Sequence, residues 1–129
     1  MWFENAIYKE KIKHMFNDEL SIEHVEFETL LFYAHSSLRI GFHSKNVPTT
    51  FPTKWDKIDF NALSIVLELG DIIDFESKGT RLGFECTPVI KYIGDEVHLH
   101  ISHDNFYLNC VAQFLTIRDI TPYLDERWD

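Results

Sequence analysis

An apolar stretch of alternating side chains, from Asp59 to Gly70, constrains this chain more than any other feature. Read with the two-residue period of a β-strand, one of its faces is entirely apolar and the other is half apolar. The first face carries Leu63, Ile65, Leu67 and Leu69, and the second carries Ala62, Ser64, Val66 and Glu68. Such a strand is typical of the centre of a sheet that is covered on both sides. The sequence therefore predicts a fold arranged around this strand.

A proline-marked loop leads into the predicted central strand and ends in a tryptophan. The segment from Ser44 to Trp55 has no strand-like alternation, and its last part reads Phe51-Pro52-Thr53-Lys54-Trp55. Prolines and small polar residues favour a crossing loop with no strand of its own. Because Trp55 stands beside the central strand, we expect its ring to be buried.

The beginning of the chain predicts a short helix from Asn5 to Phe16, with Asn5 as its cap and Asn17-Asp18 as its end. Apolar residues recur there at helical spacing. Charges occur throughout this region, so we expect no secretory signal. No stretch of the sequence approaches the roughly 18 apolar residues of a membrane span, so we expect no membrane partner and a cytoplasmic location.

Six further segments alternate like strands and are separated by turn signals. They are Ile22 to Tyr33, Leu38 to Phe42, Ile72 to Phe75, Leu82 to Ile93, Val97 to Ile101 and Phe106 to Ile117. Gly70-Asp71 is interpreted as a break after the central strand, and Pro88 as the mark of an edge or bulged strand. The prediction is an α+β fold: a single domain over residues 1–129, mostly an antiparallel β-sheet of about seven strands with a short N-terminal helix.

The charge balance limits the class of partner. Twelve Lys and Arg residues stand against 21 Asp and Glu residues, a formal net charge of -9. This balance repels phosphate backbones, so we expect no nucleic-acid binding. A basic protein partner would be attracted and its association accelerated. The alternative is that the acidic surface serves solubility alone.

A histidine-rich strand is the candidate metal site. On a strand, His98 and His100 project to one side roughly 7 Å apart, and His103 at the following turn could complete a set of ligands. The alternative is an exposed strand face on which histidine is a tolerated polar residue. This alternative is favoured because no second cluster at ligand spacing accompanies the histidines, so no cofactor or metal is expected.

Other candidate catalytic arrangements have weaker support in the sequence. Carboxylate pairs such as Glu26 with Glu28, or Asp71 with Asp74, alternate with apolar residues as solvated strand faces do. Cys86 and Cys110 lack neighbours that would activate a thiol, and are interpreted as small buried apolar residues, with a disulfide as the alternative. A Gly-x-Ser-x-Gly elbow and a glycine-rich phosphate loop are both absent from the sequence. We therefore do not expect an enzyme.

A protein-binding surface is the remaining candidate. Its acidic contributors are Glu23, Glu26, Glu28, Asp71, Asp74 and Glu76. Its candidate aromatic anchors are Trp55, Tyr92, Tyr107 and Trp128, because interfaces are enriched in such rings. The alternative is that the rings belong to the core and the acids to an ordinary surface.

The order of these features resembles the immunity protein 50 family, whose members are cytosolic partners of bacterial polymorphic toxins. The resemblance covers nearly the whole chain, and its most recognisable part is the Phe51-Pro52-Thr53-Lys54-Trp55 loop followed by the apolar strand with Gly70-Asp71. It includes Trp2 with the helix that ends at Phe16, and the segment from Ile117 to Tyr123. These features define a fold and carry no catalytic motif.

The resemblance implies a function of neutralising a cognate polymorphic or contact-dependent toxin by direct, stoichiometric occlusion. The toxin is expected to be basic, from the charge of this chain and not from the family. The alternative function is a small metal- or ligand-binding β domain that uses His98, His100 and His103. The toxin's chemistry, the contact face and the oligomeric state stay open at this point.

Overall fold

A computed structural model describes residues 1–34 and 36–127 of the chain. Its elements are α1 (Glu10–Phe16), β1 (Val25–Tyr33), β2 (Ser37–Ser44), a 3₁₀ helix (Thr53–Lys57), β3 (Ala62–Lys78), β4 (Phe84–Cys86), β5 (Val89–Ile93), β6 (Glu96–His103) and β7 (Phe106–Tyr123). The strands form one antiparallel sheet in the order β4-β1-β2-β3-β7-β6-β5. The predicted fold class is confirmed, and the predicted central strand is β3, in the middle of the sheet.

The sheet curls so that its two edges approach each other. β4 pairs with β1 at one edge and β5 pairs with β6 at the other, although only Thr87 and Pro88 separate β4 from β5 in the chain. The ring of Phe84 on β4 stacks on that of His103 on β6, with centroids 4.4 Å apart. Proline cannot donate to a ladder, which explains why the chain changes partner there. The predicted interruption at Pro88 and its edge position are confirmed.

The inner face of the curled sheet holds the core. Its largest fully buried side chains are Phe16, Phe27, Phe42, Ile12, Leu38, Ile40, Leu63, Ile65, Leu67, Leu69, Leu99 and Ile101. The N-terminal segment lies on this side, because the inward-pointing Tyr92 donates its hydroxyl to the carbonyl of Trp2 at 2.6 Å. Trp55 is 3% exposed and packs edge-on against Phe16, with ring centroids 5.6 Å apart, which confirms its predicted burial.

The N-terminal helix is shorter than predicted. It begins at Glu10, whereas Asn5 was predicted as its cap, and Tyr8 has a left-handed φ of 69°. Ile7 is held instead by β7: its N–H donates to the carbonyl of Leu115 at 2.8 Å, and its carbonyl accepts from Ile117 at 3.1 Å. This pairing takes the backbone groups that a longer helix would need. Asn17, in the left-handed region, ends the helix as predicted.

The central strand is longer than predicted. Gly70-Asp71 was interpreted as a break, but β3 continues through it to Lys78 and pairs with β7 along its whole length. Asp71 has a φ of 54°, and the next N–H, of Ile72, donates to the carbonyl of Ser36 at 3.0 Å. A left-handed residue bends the strand without ending it, because the long partner strand continues alongside. β7 likewise passes the predicted end at Ile117 and reaches Tyr123.

The outer face of the sheet is partly exposed. Ser64, Val66 and Glu68 of β3 all have intermediate exposure, so the expectation that β3 is covered on both sides was wrong. Antiparallel sheets commonly leave one face to solvent. Neither the seven-residue α1 nor any other helix of residues 1–34 and 36–127 is long and apolar enough to cross a bilayer. The outer face is where the candidate site residues must be sought.

Candidate functional site

The strand register brings predicted site residues from distant parts of the sequence onto one area of the outer face. His98 of β6 lies opposite Val111 of β7, which lies opposite Asp74 of β3. In the next row, His100, Asn109 and Glu76 are aligned in the same way. Side chains directly opposite each other in an antiparallel pair project to the same face. Two of the three predicted histidines and two of the predicted acids therefore share a surface.

These rows line a groove of about 530 Å³, which we call the outer groove. Its exposed or half-exposed lining residues are Asp74, Glu76, Val89, Lys91, Ile93, His98, His100, Asn109 and Val111. One wall is the edge strand β5, and the other is the second half of β3. The groove thus combines apolar side chains with groups of both charge signs.

A hydrogen-bonded set of side chains runs from the floor of the outer groove to its edge. His100 Nδ1 lies 2.6 Å from Asn109 Oδ1, and Asn109 Nδ2 donates to the hydroxyl of Tyr107. The rings of His100 and Tyr107 are edge-on, with centroids 5.7 Å apart. All three side chains are half-buried. Their mutual contacts fix the orientation of the polar groups before any partner arrives.

Asp74 and Glu76 are exposed on the wall of the outer groove. Within the part of the chain that the structure describes, neither carboxylate makes a side-chain hydrogen bond or an ion pair. Lys91 of β5 lies in the same row as His98, Val111 and Asp74. Three strand spacings separate Lys91 from Asp74, about 14 Å along the sheet. The two carboxylates are therefore open to an external cation.

Glu26 and Glu28, by contrast, belong to a cluster with an internal cation. Arg127 Nη2 lies 2.6 Å from Glu26 Oε1 and 2.7 Å from Asp125 Oδ2. The Arg127 hydrogen bonds hold the pKa of Asp125 at about 2, below its ordinary value. Glu28 and His43 lie beside Glu26, with one ligand atom from each within 4.8 Å of the others. That spacing suits a divalent cation, but the Arg127 guanidinium already binds Glu26.

The remaining predicted acids lie outside both groups. Glu23 is exposed in the loop before β1, where its carbonyl accepts a hydrogen bond from Asn46 Nδ2 at 2.7 Å. Asp71 is exposed at the bend of β3 and does not line the outer groove. The outer-face rows of Glu26 and Asp74 are ten residues apart along β3, about 33 Å. The six predicted acids therefore do not form one patch.

The predicted three-histidine metal site is not assembled. His103 points away from His98 and His100, because it follows an odd number of residues after them on the same strand. Its ring stacks on Phe84, and its Nε2 lies 3.5 Å from Asp104. His98 Nε2 instead lies 3.4 Å from Glu96. The inclusion of His103 in a metal site with His98 and His100 was therefore wrong.

The predicted aromatic anchors do not all lie at the surface. Trp55 is buried in the core, and Tyr92 points inward, where burial raises the pKa of its hydroxyl to about 12. Tyr107 is on the outer face, next to the outer groove. Trp128 lies outside the described residues. Tyr107 alone of the first three is placed where a partner could touch it.

The two cysteines are buried and free. Burial raises the pKa of Cys86 to about 11 and that of Cys110 to about 12. A thiol with so high a pKa is almost entirely protonated at neutral pH and is a poor nucleophile. Their interpretation as small buried apolar residues is confirmed, and the alternative of a disulfide is not.

Sequence reasoning missed a polar network in the middle of the outer face. Tyr33 and Arg39, on the two strands of one hairpin, both donate to Glu68 of β3. Burial acts to raise the pKa of Glu68, but the hydrogen bonds from Tyr33 and Arg39 outweigh it and lower the pKa below its ordinary value. The pairing of β2 with β3, which brings Glu68 to Arg39, follows only from the sheet order.

Comparison with known families supplies the identity of the fold. The sequence model of the family described as immunity protein 50 matches residues 8–123, most of the chain. No curated protein and no solved structure matches this chain. The matched range includes every strand, the 3₁₀ helix and the whole outer groove. This chain belongs to the immunity protein 50 family.

Proposed function

We propose that this protein protects its host by binding a cognate polymorphic or contact-dependent toxin and occluding it, one molecule to one. The observation that carries the proposal is the family match over residues 8–123, since an immunity protein is defined by a toxin that it counteracts. Tight inhibition of this kind needs an interface of about 800 Å² on each partner, with a few well-packed anchors.

The toxin is proposed to be basic. The net charge of -9 gives this chain a negative field that accelerates association with a positively charged protein and disfavours nucleic acid. We place the encounter in the bacterial cytoplasm, with no membrane partner. Complementary charge would also let the inhibitor reach the toxin before the toxin reaches its target.

Inhibition is proposed to be non-enzymatic and to need no cofactor. Both thiols have pKa values far above neutrality, which supports a role without a cysteine nucleophile. The polar side chains of His100, Asn109 and Tyr107 hydrogen-bond to one another, as a rigid binding surface requires. A three-histidine metal site does not compete with this function, because His103 lies on the other face from His98 and His100.

The test is co-expression with the toxin domain encoded beside this gene. We expect growth to be restored by this protein and not by an empty vector. We also expect a 1:1 complex on gel filtration when a catalytically inactive toxin domain is mixed with it. Cells that still die, together with two separate peaks on the column, would reject the function.

A further inference from the structure

We propose that the outer groove is the docking site for a basic segment of the toxin, with an arginine or lysine side chain held between Asp74 and Glu76. This inference rests on the proposed function and adds to it the contact face and the chemistry of the partner. The methylene stem of the incoming residue packs on Val111 while its charged head reaches the two carboxylates, and apolar side chains of the same segment pack on Val89 and Ile93.

Charge complementarity identifies the occupant. Several other acids of the outer surface already have a partner within the protein: Glu26 has Arg127, Glu68 has Arg39, and Glu96 has His98 nearby. Asp74 and Glu76 have no such cation in the described residues and face a cavity. Two adjacent carboxylates bind a guanidinium or ammonium through charge-assisted hydrogen bonds, which are stronger than neutral ones. The groove therefore selects a cationic side chain.

The apolar wall suits the rest of such a segment. Val89 is 41% exposed and Ile93 is 55% exposed, both on the outward side of the edge strand β5. They lie three strand spacings from Asp74, about 14 Å, so apolar neighbours of the incoming basic residue cover them, while its own methylene stem lies on Val111. A purely acidic patch would attract cations without orienting them. The combination of apolar wall and paired acids gives the incoming segment a defined position.

The groove is rigid before binding. Its acids stand on β3 and its floor on β7, two strands that pair from Ala62 with Tyr123 to Lys78 with Tyr107. Sites built on paired strands are held more accurately than sites on loops. The side chains of His100, Asn109 and Tyr107 are already hydrogen-bonded to one another. Little conformational freedom is lost on docking, so the entropic cost of binding is small and the affinity is higher.

The test compares two double variants that change the net charge equally. Asp74→Lys with Glu76→Lys places two cations in the outer groove. Asp56→Lys with Asp59→Lys makes the same change at exposed positions near the other end of β3. Binding to an inactive form of the toxin domain encoded beside this gene is measured by isothermal titration calorimetry. We expect the groove variant to bind at least about 100-fold more weakly, since juxtaposed like charges are strongly unfavourable, and the control to lose about threefold or less.

A neutral pair of substitutions separates the groove from general folding effects. Asp74→Asn with Glu76→Gln keeps the size of both side chains, and we expect about tenfold weaker binding with a shallower dependence on salt than wild type. Thermal melting of each variant confirms that it folds. Equal losses in the groove variant and the control, or no loss in either, would overturn the docking site. Absence of binding by the wild-type protein would instead reject the proposed function.

Discussion

The two faces of β3 have opposite roles although they alternate along the same residues. The inward side chains Leu63, Ile65, Leu67 and Leu69 are fully buried in the aromatic core. The outward ones are half-exposed and lead from Ser64 to the open carboxylates of Asp74 and Glu76. Stability is therefore concentrated on the inner face, and the outer face is left accessible. A substitution can change one property without the other.

A second contrast lies within the outer face. Glu26 and Asp74 both alternate with apolar residues on strands, and local sequence does not distinguish them. Arg127, 101 residues away from Glu26 in the chain, pairs with Glu26 and leaves Asp74 without an internal cation. The free acids, and not the acids in general, are candidates for recognition.

The largest expected effect is on the inner face. Trp55→Ala removes a ring that packs between Phe16, Phe51 and Phe60, and should lower the free energy of unfolding by about 3–5 kcal/mol. Ile58→Ala, at an exposed position just after the 3₁₀ helix, is the control and should cost less than about 1 kcal/mol. Urea unfolding measures both. Similar losses in the two variants would show that burial does not separate these positions.

Adjacent residues of β3 sharpen the contrast between its faces. Leu67→Ala, at a fully buried position, should cost about 2–5 kcal/mol, because it removes apolar contacts and leaves a cavity. Val66→Ala, one residue away on the half-exposed outer face, should cost about 1 kcal/mol. The difference between their urea midpoints is the measurement. If the outward substitution were as costly as the inward one, the outer face would be part of the core.

A smaller effect, on the pH dependence of stability, tests the pairing of Asp125 with Arg127. The folded protein holds the pKa of Asp125 at about 2, below its ordinary value. The contribution of this carboxylate to stability is thus complete above about pH 4 and is lost as the pH falls towards 2. Asp125→Asn should flatten the pH dependence of the urea midpoint between pH 4 and 2. Equal slopes in wild type and the Asp125 variant would contradict the pairing.

The smallest effect concerns reactivity and leaves stability unchanged. Burial raises the pKa values of Cys86 and Cys110 to about 11 and about 12, so neither supplies a thiolate at pH 8. Alkylation by iodoacetamide at that pH should be at least about 100-fold slower in the folded protein than in guanidinium chloride. Mass spectrometry after timed quenching measures both rates. Rapid labelling of the folded protein would place a thiol at the surface.

The sequence was sufficient for the fold class because the relevant signals are local. Alternation from Leu63 to Leu69 and the interruption at Pro88 each act within a few residues. The errors arose where a distant strand overrides local preference. β7 pairs with Ile7, which delays the helix, and it supports β3 beyond Asp71.

The site was less predictable for the same reason. Alternation correctly placed His98 and His100 on one side of a strand, but it could not show that Asp74 and Glu76 lie across β7 from them. His103 was misplaced because it was assigned to a turn, whereas β6 extends through it and its ring packs on Phe84. Sheet order determines which side chains meet, and it is not a property of any single segment.

The most direct test of stoichiometric occlusion is a titration of toxin activity. The active toxin domain encoded beside this gene is held at a fixed concentration well above the dissociation constant, and purified wild-type protein is added stepwise. Stoichiometric occlusion predicts a linear fall in activity that reaches zero at a molar ratio of one and does not change with incubation time. Complete inactivation by a small fraction of an equivalent, progressing with time, would show that the protein acts as an enzyme. Undiminished activity at a large excess would show that it does not neutralise this toxin.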